Sequence, residues 1–266
     1  MTFPLTWLYA PGDRPEVVHK AIAARPDVVI VDLEDAVAGH RKEYALAATA
    51  DLLAAPLPLP VHVRVNSPHD VDVLAGLPGL AALRIPKVAY AADVQRVAAK
   101  APGLPLYPLL ESALAVEHAY AVATAHDAVR GIALGESDLQ ADLGVGDDRG
   151  LDWPRLRTIL AARAAGLAPP AQSVFPDIRD LDALHDSCVH GRALGFLGRT
   201  AIHPRQLPVI EAAYRPTEKE IDAAEEIVKA AATDQGAMAL PDGRFIDAAV
   251  VAAAERTLAI AARDIT

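Results

Sequence analysis

Short runs of apolar, largely β-branched or aromatic residues recur along the chain, and between them apolar positions fall every three or four residues. The first pattern is that of buried strands, the second that of helices with one apolar face. Strand-like runs stand at "TWLYA", "DVVIVDL", "VHVRV", "ALRIPKV", "LPLYPLL", "RGIALG", "QSVF" and "GFLGRTAI". Helical patterns follow them at "PEVVHKAIAA", "HRKEYALAATADLLAA", "DVDVLAGL", "AADVQRVAAKA", "SALAVEHAYAVATA", "WPRLRTILAARAAG", "LDALHDSCVHGRAL" and "HPRQLPVIEAAY". Strict alternation of this kind requires parallel strands joined by helical crossovers. The expected fold class is therefore α/β, a TIM (β/α)8 barrel over residues 1–215 with a C-terminal helical arm over residues 216–266. In the arm, "RPTEKEIDAAEEIVKAAATDQG" has capping-box spacing at its start and Gly236 at its end, which predicts a ninth helix. "AMALPDGRFIDAAV" predicts an apolar arm around a Pro-Asp-Gly turn, and a last helix runs from Asp247 to Arg263. Such an appendage suits capping of the barrel or contact with a neighbouring subunit.

The second strand, within "VVIVDLEDAV", runs from β-branched residues straight into Asp32, Glu34 and Asp35. Side chains alternate along a strand, so Asp32 and Glu34 share a face and Asp35 begins the loop. In (β/α)8 barrels chemistry sits where the strands end. The third strand ends in Arg64 and Asn66, the fourth in Lys87, the fifth in Glu111 and Ser112, the sixth in Glu136, Ser137 and Asp138, the eighth in His203. One such acid is ordinarily a helix cap. Six carboxylates around one Arg and one Lys call instead for a cation. Oxygen donors without Cys or paired His select a hard ion, Mg²⁺ or Mn²⁺, which also offsets acids that could not otherwise all ionise. His62 and His203 lack partners at ligand spacing and are assigned orienting or helix-entry roles.

The 266 residues are 52% hydrophobic with a formal net charge of −10, which argues against nucleic acid or an anionic membrane as partner. Any anionic substrate must then meet local cations or a metal. The single Cys188 excludes an internal disulfide framework, fits a reducing cytoplasm and reads as a packed helical thiol. No signal peptide or membrane span is expected. A Gly-x-Ser-x-Gly elbow for a hydrolase and a Gly-x-Gly-x-x-Gly turn for a dinucleotide are both missing. Lys87 is the one candidate for a Schiff base, and neighbouring acids would keep its amine protonated.

Seven segments, in order, carry a resemblance: "YAPGDRPE" (9–16), "DVVIVDLEDAV" (27–37), "VRVN" (63–66), "RIPKV" (84–88), "LLES" (109–112), "LGESDLQADLG" (134–144) and "AIHPRQLPVIEAAYRPT" (201–217). With "GRFIDAAVVAAAERTL" near the C-terminus, the chain resembles the citrate lyase β-subunit-like branch of the HpcH/HpaI aldolase superfamily. The resemblance implies one Mg²⁺ held by Glu111 and Asp138, a substrate carboxylate on Arg64 and the backbone at Gly135, and supporting acids at Glu34 and Asp35. It implies that Asp247 works in a neighbouring subunit of a homotrimer or hexamer, on the proton of the acetyl group. The activity implied is cleavage of a short 3-hydroxy-acyl-CoA (malyl-, citramalyl- or hydroxymethylglutaryl-CoA type) to acetyl-CoA and an α-keto acid, or the reverse condensation. A citryl-lyase subunit acting on an acyl-carrier thioester, a CoA-independent class II pyruvate aldolase and a non-catalytic binding barrel are the alternatives. Glu136 joins the substrate-binding set, and Arg14, Arg41 and Lys42 are candidates for the CoA phosphates. One departure is Ser137, which stands where relatives often carry an acid.

Overall fold

The computed structural model describes residues 4–233, 238–239 and 245–262. It divides into two compact units, one from Pro4 to Ala213 and one from Tyr214 onward. In the first unit the strands are β1 (Thr6–Pro11), β2 (Val28–Asp32), β3 (Val61–Arg64), β4 (Leu80–Ile85), β5 (Leu106–Leu110), β6 (Ala133–Leu134) and β7 (Arg199–Ala201). They form one parallel sheet in the order β6-β5-β4-β3-β2-β1-β7. Sequential parallel strands with the first beside the last are the arrangement of the expected barrel. The helices that connect them are α1 (Pro15–Ala23), α2 (Lys42–Leu53), α3 (Pro68–Leu74), α4 (Ala91–Lys100), α5 (Ala113–Glu117), α6 (Ala119–Ala123), α7 (Glu136–Leu143), α8 (Asp152–Ala164), α9 (Leu181–Leu194) and α10 (Leu207–Tyr214).

The "VVIVD" strand is buried along its whole length, as a strand covered on both faces must be. Its register sets Asp32 level with Pro11 on one side and Arg64 on the other. That pairing brings three strand ends to one rim. The "QSVF" run does not form a regular strand. Pro169, Pro170 and Pro176 surround it, and proline cannot donate to a ladder. What remains is an isolated parallel bridge from Gln172 to Arg199, with the Gln172 N–H donating to Gly198 O at 2.9 Å. This segment, expected as the seventh strand, is joined by that bridge to β7, which is the eighth expected strand. The helix expected across 112–125 is broken at His118, whose backbone (φ −88°, ψ 8°) leaves the helical region while its ring Nδ1 lies 2.9 Å from Ala89 O.

Helix α7 had no counterpart among the expected helices. Its sequence, "ESDLQADL", lacks a clear apolar stripe, but Glu136 and Asp138 occupy the first turn and Gly144 closes the last in the left-handed conformation. Helix α3 opens on Ser67 and Pro68, two residues before the expected "DVDVLAGL" pattern begins. Asp70 accepts from the N–H groups of Asn66 and Ser67 at 2.6 and 3.1 Å.

In the second unit, α11 (Glu218–Thr233) and α12 (Ala248–Ala261) pack on each other, and β8 (Met238–Ala239) pairs antiparallel with β9 (Phe245–Ile246). The capping box is present: the Thr217 N–H donates to Glu220 Oε2 at 2.8 Å. Gly236, the Pro-Asp-Gly turn and Arg263 lie outside the described residues. Among the described residues, no helix is long and apolar enough to cross a membrane.

Gly198 leads into β7 with φ +77°, and a Cβ there would stand 2.6 Å from Leu5 Cα. Gly198→Ala should destabilise the fold by roughly 1–3 kcal/mol, measured by chemical denaturation. An unchanged midpoint would show that this turn is not constrained as described.

Candidate functional site

At the carboxyl ends of the strands lies a cavity of about 480 Å³ lined by, among others, Asp32, Arg64, Arg84, Glu111, Gly135 and Asp138. Each strand delivers its group by the alternation read from sequence, and the register of β2 with β3 lays Asp32 beside Arg64. The Arg64 guanidinium grips Asp32 with two parallel bonds, Nε–Oδ1 at 2.7 Å and Nη2–Oδ2 at 2.6 Å. Its Nη1 stands 3.1 Å from Glu34 Oε2 and 3.7 Å from Asp35 Oδ2. A two-pronged, charge-assisted pairing of this kind fixes both partners in one geometry. Burial works against it, but the bonds to Asp32, with Tyr9 and Glu34 nearby, hold the Arg64 side chain above its usual basicity.

Asp32 also accepts from the N–H groups of Glu34 and Ala36, each at 3.0 Å. The deepest acid of the cluster is thus the brace of the β2 turn. Glu34, 4% exposed, is shared with Lys87, whose Nζ stands 2.5 Å from Oε1. The more exposed Asp35 is 3.5 Å from the same ammonium.

Lys87 contributes twice. Its backbone is in the left-handed region, φ +52°, which turns its N–H toward Glu111 Oε2 at 2.8 Å. A non-glycine residue there costs about 1–3 kcal/mol, and such strain persists where surrounding structure enforces it. On the opposite side, a Cβ on Gly135 would come within 2.9 Å of Glu111 Oε1. Glycine is required here for room, since its φ of −91° is open to any residue. Burial raises the Glu111 carboxyl to about 7; the Lys87 N–H opposes the rise, and Glu34 and Asp138 add to it.

Asp138 stands exposed on the first turn of α7. Its neighbour Glu136 lines the cavity, but its carboxylate is clasped by Arg155 at 3.0 and 2.7 Å. Arg155, 1% exposed, also binds Asp148 at 2.6 Å and Asp152 at 3.2 Å. This buried arginine ties the start of α7 to α8, and with it the position of Asp138. Ser137 faces the cavity beside them.

The candidate phosphate-binding cations part ways. Lys42 Nζ donates to the carbonyls of Leu33 and Glu34 at 2.7 and 2.5 Å, and Arg41 pairs with Asp13 at 2.7 Å. Both hold the scaffold. Arg14 is exposed at the start of α1 and makes no ion pair among the described residues. His203 caps the turn before α10, accepting from the Arg205 N–H at 3.1 Å. Asp247, in the second unit, caps α12 and accepts from Val250 N–H at 2.9 Å. Cys188 is fully buried within α9, and burial pushes its thiol up. Reasoning from sequence passed over Arg84 and Arg155. A lone arginine inside an apolar strand ("ALRI") is the signal that marks the first.

No group of three or more His, Cys, Asp or Glu side chains converges into a ready metal cage among the described residues. The residues nonetheless fit a hard divalent ion. Among the described residues Arg64 and Lys87 pair with Asp32, Glu34 and Asp35, and Arg84 also lines the cavity; against five acids with Glu111 and Asp138, that leaves two negative charges for a divalent cation to balance. Glu111 and Asp138 are the two of these acids that no side-chain cation binds among the described residues. Mg²⁺ is commonly held by one or two carboxylates, with water and substrate supplying the rest.

Comparison with known proteins gives concordant matches. The model for HpcH/HpaI aldolase/citrate lyase matches residues 5–204, and that for a carbon–carbon bond lyase of the TIM-barrel fold matches residues 166–250. A (3S)-malyl-CoA thioesterase of Cereibacter sphaeroides is 35% identical over 270 residues, covering 95% of this chain and 92% of that protein. A citrate lyase subunit beta-like protein of Mycobacterium tuberculosis is 35% identical over 267 residues, covering 95% and 93%. The structure of CitE from Mycobacterium tuberculosis with magnesium, acetoacetate and coenzyme A aligns with a TM-score of 0.83 at 32% identity, covering 98% of each chain.

The raised Glu111 pKa has a definite sign. The metal-free protein gains protons there relative to the unfolded chain, so this group's contribution to stability falls as pH rises from 4.5 to about 7. A cation must displace that proton. Mg²⁺ affinity should therefore fall about tenfold per pH unit below 7 and level off above it, measured by calorimetric titration. An affinity independent of pH across that range would remove Glu111 from the cation site.

Proposed function

Because the chain belongs to the HpcH/HpaI aldolase/citrate lyase family, and is thereby a carbon–carbon lyase, we propose that it cleaves a short 3-hydroxy-acyl-CoA of malyl, citramalyl or hydroxymethylglutaryl type. The products are acetyl-CoA and an α-keto acid, and the reverse Claisen condensation uses the same groups. The observation that carries the reading is the placement of Glu111, backed against Gly135 and near Asp138, at the rim where Arg64 is fixed by Asp32.

In this reading Glu111 and Asp138 hold Mg²⁺, with Mn²⁺ as substitute, and the bound ion supplies Lewis acidity toward the substrate's hydroxyl and carboxylate oxygens. Arg64 spends Nε and one Nη2 N–H on Asp32 and turns one Nη1 N–H toward Glu34, so the N–H groups left over orient a substrate carboxylate. Glu34 accepts the hydroxyl proton as the carbon–carbon bond breaks. Its other neighbour, the Lys87 ammonium, stands 2.5 Å from its Oε1 and offsets its charge. Asp35, more exposed and 3.5 Å from the same ammonium, assists at the solvent side. Carbon–carbon cleavage leaves a thioester enolate that must be protonated at carbon, a role assigned to Asp247 of a neighbouring copy in a trimer or hexamer. Arg14 is the cation left for the CoA phosphates, while Lys42 supports the turn that presents Glu34. The CitE complex with magnesium and coenzyme A supports this choice of cofactor and substrate class. A cytoplasmic setting fits a chain without a membrane-crossing helix among its described residues.

The relative named (3S)-malyl-CoA thioesterase favours a second reading, in which the thioester is hydrolysed and the carbon–carbon bond is kept. Product analysis separates the two. With Mg²⁺ and citramalyl-CoA, the lyase releases acetyl-CoA and pyruvate, whereas the thioesterase releases free CoA and citramalate. Glu111→Gln should lower kcat/KM by at least about 10³-fold together with Mg²⁺ binding, while Glu34→Gln should spare Mg²⁺ binding and lower kcat about 10²-fold. Intact thioesters in the presence of bound Mg²⁺ would overturn the CoA lyase reading.

A further inference from the structure

The phenol of Tyr9 lines the cavity without a part in the chemistry described above. Along β1, Trp7, Tyr9 and Pro11 share one face, and Pro11 lies level with Asp32 of β2. Tyr9 therefore points into the barrel one layer below the acid cluster, packed against Trp7, Val28 and Ile30. Two guanidinium groups fix it. That of Arg64 lies 5.1 Å from the ring centroid, and that of Arg84 hydrogen-bonds the phenol oxygen.

The direction of the second bond decides what the hydroxyl can do. A guanidinium has N–H donors and no acceptor, so Arg84 donates and the phenol oxygen accepts. The phenol's own hydrogen is left to donate elsewhere, and no described residue accepts it. Burial raises the phenol's pKa above its usual value; Arg84 and Arg64 oppose the rise, and Asp32 and Glu111 add to it. At neutral pH the group is thus a donor. It lies within electrostatic reach of both Arg64 and Glu111, between the carboxylate-binding and cation-binding sides of the site. Arg64 has already turned three N–H groups toward Asp32 and Glu34. A bound carboxylate offers about four lone-pair positions, more than the rest of Arg64 can fill.

We propose that the Tyr9 hydroxyl donates to the substrate carboxylate that Arg64 orients. This rests on the lyase reading and deepens it by adding a neutral donor to the substrate-binding set. The carboxylate is then held from two strands at once, by Arg64 at the end of β3 and by Tyr9 within β1. Two anchors fix the plane of the group, and with it the direction of the carbon–carbon bond beside it. Arg84 acts through Tyr9, because its bond to the phenol oxygen limits where the hydroxyl can point. The competing use of Tyr9 is structural, a phenol that fills the layer beside Trp7 and gives Arg84 an acceptor.

The test is calorimetric titration of pyruvate into the protein with Mg²⁺ present, with Mg²⁺ affinity measured beside it. Tyr9→Phe removes only the hydroxyl. It should weaken pyruvate binding at least about tenfold and leave Mg²⁺ affinity unchanged. With citramalyl-CoA it should raise KM about tenfold and change kcat less than about threefold, as for a contact made equally in ground and transition states. Tyr9→His keeps a ring N–H and should recover part of the pyruvate affinity. Tyr9→Leu carries the loss if the phenylalanine variant does not fold. Unchanged pyruvate affinity in Tyr9→Phe would overturn the proposal. So would a matching loss of Mg²⁺ affinity, which a structural phenol predicts, or a fall in kcat at constant KM, which would move the hydroxyl to the reacting oxygen. If Tyr9→Phe loses pyruvate while the wild type cleaves no thioester, the lyase reading fails and the assignment of Tyr9 stands.

Discussion

Carboxylates gathered at the end of a narrow barrel repel one another, and the arrangement of the rim follows from how that repulsion is relieved. Arg64 carries the main share. Its paired bonds to Asp32 join the ends of β2 and β3, and its remaining edge reaches Glu34 and Asp35. Asp32 in turn accepts from two backbone N–H groups, so the same side chain that neutralises the arginine shapes the turn that follows. Removing either partner would leave a buried charge uncompensated, a loss of a few kcal/mol. The relief is incomplete across the site. Among the described residues Glu111 and Asp138 remain without a side-chain cation in contact, and burial, with Glu34 and Asp138 adding to it, raises the Glu111 pKa.

The elements that hold those two acids are unlike each other. Glu111 is confined by contacts that allow no slack, the Lys87 N–H on one side and the bare backbone of Gly135 on the other. Asp138 is placed by a helix whose first turn is anchored through Glu136 and the buried Arg155. Ser137 sits between the clasped acid and the free one, so its hydroxyl adds a polar group to the cavity without adding to the negative charge.

Much of this was legible in the residues. The alternation of apolar runs with amphipathic segments set out the parallel barrel, because period-two and period-3.6 patterns are imposed by burial. The acids after β2, β5 and β6 stood out for the same reason: ionisable groups directly after fully buried strands need an explanation. What escaped was long-range or irregular. Prolines erased the ladder around Gln172, although the backbone still bridges to Arg199. Helix α7 carried too few apolar residues to show its period. The placement of Arg155 and Arg84 depends on partners distant in sequence, and only the register of neighbouring strands reveals that Arg84 faces inward beside Arg64. Lys87 was read for its amine, yet its backbone conformation is the feature that positions Glu111.

The central claim is that the charge excess at the rim is completed by one divalent cation on Glu111 and Asp138. Electron paramagnetic resonance titration with Mn²⁺ on wild type and Asp138→Asn tests it most directly, because it counts bound ions without requiring a substrate. The wild type should bind one Mn²⁺, and the variant should lose that site or bind at least about 100-fold more weakly. Unchanged stoichiometry and affinity in Asp138→Asn would contradict it.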